Sequence, residues 1–214
     1  VRTGPTNLAC LITTAMVEAT GADLAITNGG GIRASIEPGE ITRGDIVTVL
    51  PFGNYIVTKK MKGSDILAAL EHGLSQYPNP NGGHPQVANV EYFFDATKPA
   101  GQRLVYVKIK GEKLDPAKEY IVATNDFMAA GGDGYPFQDL PLVNEFQALD
   151  EAVIEYITNH PEKLKYTTYV IQPGDALWKI AKKTGHFWLE IANINNLENP
   201  DLIYAGDKLL IPAW

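Results

Sequence analysis

The stretch Ala22-Asp23-Leu24-Ala25-Ile26-Thr27-Asn28-Gly29-Gly30-Gly31-Ile32-Arg33 organises the rest of the chain. Residues 22–26 are mostly apolar and read as a short buried strand. Three consecutive glycines follow. They tolerate positive φ, so the backbone can turn sharply and come close to a ligand. Their successive N–H groups can form an anion-binding nest. Arg33 adds a planar, permanently charged fork suited to phosphate or carboxylate. No Gly-Lys-Ser/Thr follows, which excludes a phosphate-binding P-loop, and the glycines are adjacent rather than spaced, which excludes a dinucleotide fingerprint. Taken alone, residues 28–33 read either as a tight strand-exit turn with a surface arginine or as a site for an anionic small molecule.

Working outward, a helix is expected over 7–19, with Leu8, Leu11, Ile12, Ala15 and Met16 at helical spacing and Gly21 as its stop. After the glycine turn, Glu37-Pro38-Gly39-Glu40 signals a further turn, and 41–50 reads as a short helix. Residues 55–61 alternate as a strand does. Gly63-Ser64-Asp65 opens a helix running to 77, with Ile66, Leu67, Leu70 and Leu74 on one face. Pro78-Asn79-Pro80-Asn81-Gly82-Gly83 cannot be regular structure. Strands are expected at 90–94, 103–110 and 120–125, a turn at 111–113, a loop at 129–136 and a helix at 150–159. This irregular mixture points to an α/β or α+β layered architecture.

The balance of 18 basic and 25 acidic residues gives a net charge of −7, which counts against general nucleic-acid binding. The single cysteine, Cys10, reads as a small buried hydrophobe. No run is long and apolar enough to span a membrane, and no signal peptide is read. The chain begins at Val1 rather than Met, which reads as processed or excised.

Three glycine-containing loops carry the chemistry: 28–33, 51–54 and 125–134. Two bear a phenylalanine, Phe52 and Phe127. Either one alone is ordinarily a core anchor, but a pair on converging loops can grip a flat ring from both sides, where stacking is worth about 1–3 kcal/mol per base. Asn54 can read a ring edge as donor and acceptor. Asp133 can accept two hydrogen bonds from a vicinal diol, or it can organise its own loop as an Asx-turn. With Arg33 and Arg2 for phosphate, the parts sum to base, ribose and phosphate.

Four motifs occur in order: Asn28-Gly-Gly-Gly-Ile-Arg33, Leu50-Pro-Phe-Gly-Asn54, Pro85-Gln-Val-Ala-Asn89 and Asn125-Asp-Phe-Met-Ala-Ala-Gly-Gly-Asp-Gly-Tyr135. On these the chain resembles the C-terminal substrate-binding domain of the 5′-nucleotidase family, which includes UDP-sugar hydrolases and 2′,3′-cyclic-nucleotide phosphodiesterases. The resemblance implies that Phe52 and Phe127 sandwich the base and that Asn54 contacts it, a pair suited to adenine. It implies that Asp133 binds the ribose hydroxyls, that Arg33 and Arg2 hold the phosphate, and that Gly82 lies near the base. Asn28, Gly30 and Gly31 complete the implied substrate site. The family's N-terminal metallophosphatase domain, with two divalent metal ions, is expected outside this chain. No metal site is expected among His72, His84, His160 and His186, which read as exposed or structural.

The texture changes after Pro161-Glu162-Lys163-Leu164-Lys165. Strands at 169–171 and 209–212 flank helices at 176–184 and 188–195, a small βααβ unit. Tyr169-Val-Ile-Gln-Pro-Gly-Asp-Ala-Leu-Trp-Lys-Ile-Ala181 and Asn199-Pro-Asp-Leu-Ile-Tyr-Ala-Gly-Asp-Lys-Leu-Leu-Ile-Pro212 resemble a LysM module. The resemblance implies binding of N-acetylglucosamine-containing glycans such as peptidoglycan between Gly174, Asp175, Ala176 and Leu177 on one loop and Pro200, Asp201, Leu202, Ile203 and Tyr204 on the other. Ala176 departs from the usual Thr or Ser and lacks a capping hydroxyl. Trp178 and Trp188 are expected to fill the core of so small a domain.

The expected organisation is a nucleotide-binding domain at 1–163, a linker at 164–167 and the LysM module at 168–214. The two resemblances imply the substrate-binding half of an extracellular, cell-wall-associated phosphoesterase of a bacterium acting on nucleotides. The alternative is a non-catalytic nucleotide- or nucleoside-binding protein anchored at the same wall.

Overall fold

The computed structural model describes residues 1–36, 40–164, 166–197 and 199–212. Glu37, Pro38 and Gly39 of the expected turn, and Lys165 of the expected boundary, lie outside the described residues. The chain divides into two compact units, one of Val1–Gly4 and Leu8–Tyr156, the other of Pro5–Asn7 and Ile157–Trp214.

In chain order the elements through residue 159 are α1 (Asn7–Thr20), β1 (Leu24–Asn28), α2 (Arg43–Val49), β2 (Tyr55–Lys62), α3 (Gly63–Leu74), β3 (Pro85–Ala88), β4 (Val90–Phe94), β5 (Leu104–Ile109), β6 (Glu112–Lys113), β7 (Glu119–Asn125), α4 (Asp126–Ala129), β8 (Leu142–Ala148) and α5 (Leu149–Asn159). A five-stranded sheet has the order β3-β1-β7-β2-β8, and a smaller sheet has the order β4-β5-β6. Only the β1–β7 pairing in the large sheet is parallel. β1 is buried at every position, as expected of a strand covered on both faces.

The helices start where local chemistry starts them. Before α2, Thr42 accepts from the Asp45 N–H while the Asp45 carboxylate accepts from the Thr42 N–H, a reciprocal capping box. Before α3, Asp65 accepts from the Lys62 N–H at 2.8 Å. Helix α3 buries Leu74, and it buries Ile66, Ala69 and Leu70 in a core shared with Leu24, Ile26, Met61 and Val122. Its far end is fixed to β5. Glu71 accepts from the Arg103 and Leu104 N–H groups, and the Arg103 guanidinium donates to the carbonyls of Leu74 and Tyr77.

Three strands depart from the sequence reading. β3, β8 and the two-residue β6 go unread because β8 and β6 are largely exposed and β3 is short, so none shows alternation. The stretch expected as a loop at 129–136 contains the end of α4 and a 3-10 turn, Gly132–Gly134. Cys10 is half-buried on α1 rather than sealed in the core.

Two buried titratable side chains, one charged and one neutral, shape this unit. Lys59 on β2 is 5% exposed, and its ammonium donates to the carbonyls of Phe137, Gln138 and Leu140 at 2.8, 3.3 and 3.0 Å. Burial holds its pKa below the ordinary lysine value.

His84 is 3% exposed, and burial pushes its pKa down from 6.5 to about 4.

The smaller unit is built from β9 (Tyr166–Val170), α6 (Leu177–Thr184), α7 (Trp188–Ile194) and β10 (Lys208–Pro212), with β9 and β10 antiparallel. β9 begins ahead of the expected strand because Tyr166 and Thr167 already pair with Pro212 and Ile211. The core is Ile171, Leu177, Ile180, Ala181, Ile191, Ala192, Leu209 and Ile211. Trp178 and Trp188 are not in it: they are 59% and 45% exposed. Aliphatic residues from both helices, from β10 and from Ile171 just after β9 already fill so small an interior, which leaves the indoles outside. Ala176 caps α6 with no side-chain bond.

The buried neutral His84 gives a pH dependence of defined sign. Its folded-state pKa is depressed, so its contribution is fully present above pH 6.5 and is lost as pH falls toward 4. Urea unfolding at pH 7 and pH 4.5 should show a loss of up to about 3 kcal/mol from this group. A His84→Leu chain should show a shallower decline. The three tryptophans all lie in the tail, so far-ultraviolet circular dichroism, not tryptophan emission, follows the larger unit.

Candidate functional site

The register of the large sheet gathers distant sequence segments at one edge. Asn28, the last residue of β1, lies opposite Pro85 of β3. Asn125, the last residue of β7, lies opposite Ile56 of β2, and Tyr55 lies opposite Ala148 of β8. β1 and β7 are parallel neighbours, so the loops after both leave from the same edge. The segments before β2 and before β3 enter there too. Ligand crevices in open sheets form outside the carboxyl ends of such parallel strands.

A chain of carboxamides ties this edge together. Asn125 is 1% exposed. It accepts from the Met128 N–H as the cap of α4, and it donates to Thr27 Oγ1 at 2.9 Å and Asn28 Oδ1 at 3.0 Å. Asn28 in turn donates to Asp133 Oδ2 at 2.7 Å. Asp133 has φ +54°, a left-handed conformation that is uncommon for a non-glycine residue. Its carboxylate is bonded to Asn28 rather than to its own backbone, so the Asx-turn alternative does not describe it.

The glycine turn works differently from the expected anion nest. Gly29 and Gly30 give their N–H groups to the carbonyls of His84 and Gly82, at 2.9 and 2.7 Å. None of Gly29, Gly30 and Gly31 has positive φ. What Gly30 supplies is closeness, because a Cβ there would lie 3.1 Å from the Gly82 Cα. Gly82 is thereby set against both Gly30 and the Asp133 carboxylate. Arg2 meets the 78–83 loop through its main chain, its carbonyl accepting from the Asn81 N–H at 3.0 Å.

Arg33 folds back over the glycines, donating to the Gly30 carbonyl at 3.2 Å, with its guanidinium 5.7 Å from the Phe52 ring centroid. Phe52 and Phe127 are 62% and 46% exposed, so neither is a core anchor. Phe127 lies against Gly132, where a Cβ would come within 2.5 Å of the ring. A small cleft is lined by Thr27, Ile32, Leu50, Phe52, Asn54 and Asn125. The arrangement offers two exposed aromatic faces, a carboxamide beside an apolar wall, a carboxylate and a guanidinium.

In the smaller unit, Ile171 and Gly206–Asp207 exchange backbone hydrogen bonds, which sets the loop after β9 beside the loop before β10. Asp175 accepts from the Gln172 N–H and the Tyr169 hydroxyl, and these bonds hold its carboxyl below the usual carboxylate range. Leu202 and Tyr204 are 57% and 60% exposed, whereas Leu177 is buried and Ile203 packs against the core.

The family model of the 5′-nucleotidase C-terminal domain matches residues 1–139. The chain belongs to that family. A LysM domain follows at residues 169–212. The trifunctional nucleotide phosphoesterase protein YfkN of Bacillus subtilis is 47% identical over 144 residues, covering 63% of this chain and 10% of that protein. Protein UshA of Escherichia coli is 44% identical over 139 residues, covering 65% of this chain and 24% of that protein. The crystal structure of a 5′-nucleotidase precursor from Thermus thermophilus superposes with a TM-score of 0.68 at 42% identity, covering 72% of this chain and 32% of that one. The chain thus spans about a third or less of the relatives it matches.

Within the 5′-nucleotidase C-terminal domain, sequence reading names Arg2, Asn28, Gly30, Gly31, Arg33, Phe52, Asn54, Gly82, Phe127 and Asp133; all but Arg2 stand on the loops at the sheet edge described above, and Arg2 touches the 78–83 loop through its main chain. The reading passes over Asn125 and His72 as contributors. Asn125 carried a legible signal, standing between a strand and a helix where caps belong. His72, whose ring meets the Asp133 carbonyl, carried none.

Replacing Asn125 removes a helix cap and two buried hydrogen bonds. Asn125→Ala should cost about 1–3 kcal/mol of stability, read as a lower urea midpoint by circular dichroism.

Proposed function

We propose that this chain is the nucleotide-recognising part of a 5′-nucleotidase-type phosphoesterase, held at the bacterial cell wall by its LysM domain. The observation that carries the reading is the shared sheet edge. There, two exposed phenylalanines stand with Asn54, whose side chain makes no hydrogen bond among the described residues, and with the Asp133 carboxylate. The base stacks between Phe52 and Phe127, and Asn54 reads its edge, a pairing that suits adenine. Asp133 accepts from the ribose hydroxyls, and Arg33 with Arg2 holds the phosphate.

Hydrolysis belongs to a metallophosphatase domain outside this chain, where two divalent metal ions activate water. Among the described residues no group of three or more His, Cys, Asp or Glu side chains is placed to hold a metal ion. Among the described residues no helix is long and apolar enough to cross a membrane, and attachment is assigned to the LysM domain. Its groove lies between the Gly174–Leu177 and Pro200–Tyr204 loops, with Leu202 and Tyr204 as the apolar platform for an N-acetylglucosamine glycan.

Two measurements test the reading. Calorimetry of adenosine or AMP binding should show a loss of about 1–3 kcal/mol for Phe127→Ala and for Phe52→Ala. Unchanged affinity in both variants would remove the sandwich. Sedimentation with insoluble peptidoglycan should carry down the full chain but not a chain ending near residue 165, and retention should be reversible because one shallow groove gives modest affinity. Equal sedimentation of both would remove the anchor role.

A further inference from the structure

The Asp133 carboxylate can meet two hydroxyls at once only if its backbone is held still, yet that backbone lies in no strand ladder. It sits in the 3-10 turn Gly132–Gly134, with φ of +89°, +54° and +76° at Gly131, Asp133 and Gly134. The two glycines take positive φ freely, but Asp133 does not, and its conformation persists only where the surroundings impose it.

Two tethers do so. Asn28 holds the carboxylate at 2.7 Å. His72, on α3, holds the main chain, with its Nε2 at 2.8 Å from the Asp133 carbonyl oxygen. A carbonyl only accepts, so Nε2 carries the proton and donates. The imidazole is itself fixed. It meets the Tyr135 ring edge-on at 5.1 Å and 71°. A Cβ on Gly134 would approach its Cε1 to 3.0 Å. The Tyr135 hydroxyl donates to the Gly83 carbonyl at 2.7 Å, and burial drives the Tyr135 pKa upward. Helix α3 is anchored through Ile66, Leu70 and Leu74, so the tether runs from the packed core to the turn. The Phe127 ring touches this turn at Gly132, but its own main chain is set on α4 by the Asn125 cap.

We propose that His72 is a positioning residue for sugar recognition: by fixing the Asp133 main chain it aims the carboxylate at a vicinal diol and enforces preference for ribonucleosides over 2′-deoxyribonucleosides. The inference rests on the reading of Asp133 given above. Loss of the His72 bond weakens the contact that needs both hydroxyls and leaves base stacking in place.

The test is calorimetric titration of adenosine and 2′-deoxyadenosine into the full chain, unsubstituted and as His72→Phe, His72→Gln and Asp133→Ala. His72→Phe keeps a ring against Tyr135 and removes the donor. His72→Gln places an amide N–H at the reach of Nε2. The unsubstituted chain should prefer adenosine, and Asp133→Ala should abolish the preference. His72→Phe should weaken adenosine about three- to tenfold, the worth of one ordinary hydrogen bond, and leave 2′-deoxyadenosine within about twofold. His72→Gln should retain the preference. An intact preference in His72→Phe, with loss in Asp133→Ala, overturns the proposal and leaves the Asp133 reading standing. Equal weakening of both nucleosides in His72→Phe, or His72→Gln behaving as His72→Phe does, also overturns it. No preference in the unsubstituted chain, or an intact preference in Asp133→Ala, overturns both.

Discussion

The hydrogen bond between the carboxamides of Asn125 and Asn28 is the constraint on which the site depends. It joins the ends of two parallel strands whose residues are nearly a hundred positions apart in sequence. Each partner also acts a second time, since Asn125 starts α4 and Asn28 restrains Asp133. Both side chains are nearly sealed from solvent. An unmade bond there would leave polar atoms without water as a substitute. The bond therefore reports correct strand pairing, because a register slip of one residue would turn either carboxamide to the opposite face.

Much of the larger unit was legible because its buried elements carry their period openly. Residues 22–26 announce β1, Ile66, Leu70 and Leu74 announce α3, and the glycine-containing loops announce themselves. Exposed elements were not legible. β8 carries Leu142 and Val143 at about half exposure, so no alternation marks it. The role of the glycines was also hidden. Residue type says that a backbone can approach something, but not that Gly30 approaches Gly82 rather than an anion. His72 lies on an amphipathic helix where a polar residue is unremarked, and its partner is 61 residues away. Trp178 and Trp188 show the opposite error, where size suggested burial and the small interior had no room.

The two units differ in what their cores support. The larger builds a site from loop ends held by a rigid sheet, which suits recognition of a small molecule with several distinct groups. The smaller buries a handful of aliphatic residues and keeps Leu202, Tyr204 and both described tryptophans outside. A domain of that size has little core to spare. Exposed apolar side chains therefore gather on its loops and helix starts.

Lys59 and the carbonyls around it form, in chemical terms, a host and a tethered guest. Three oxygens from Phe137, Gln138 and Leu140 converge on one ammonium, much as ring oxygens do in a crown ether. Such a host selects shape as well as charge, because its acceptors point at a single tetrahedral nitrogen. A guanidinium would spread its donors across a plane and miss them. Position 59 is therefore constrained to one cation rather than to basic residues at large, and the segment leading from Tyr135 to β8 inherits its course from that single nitrogen.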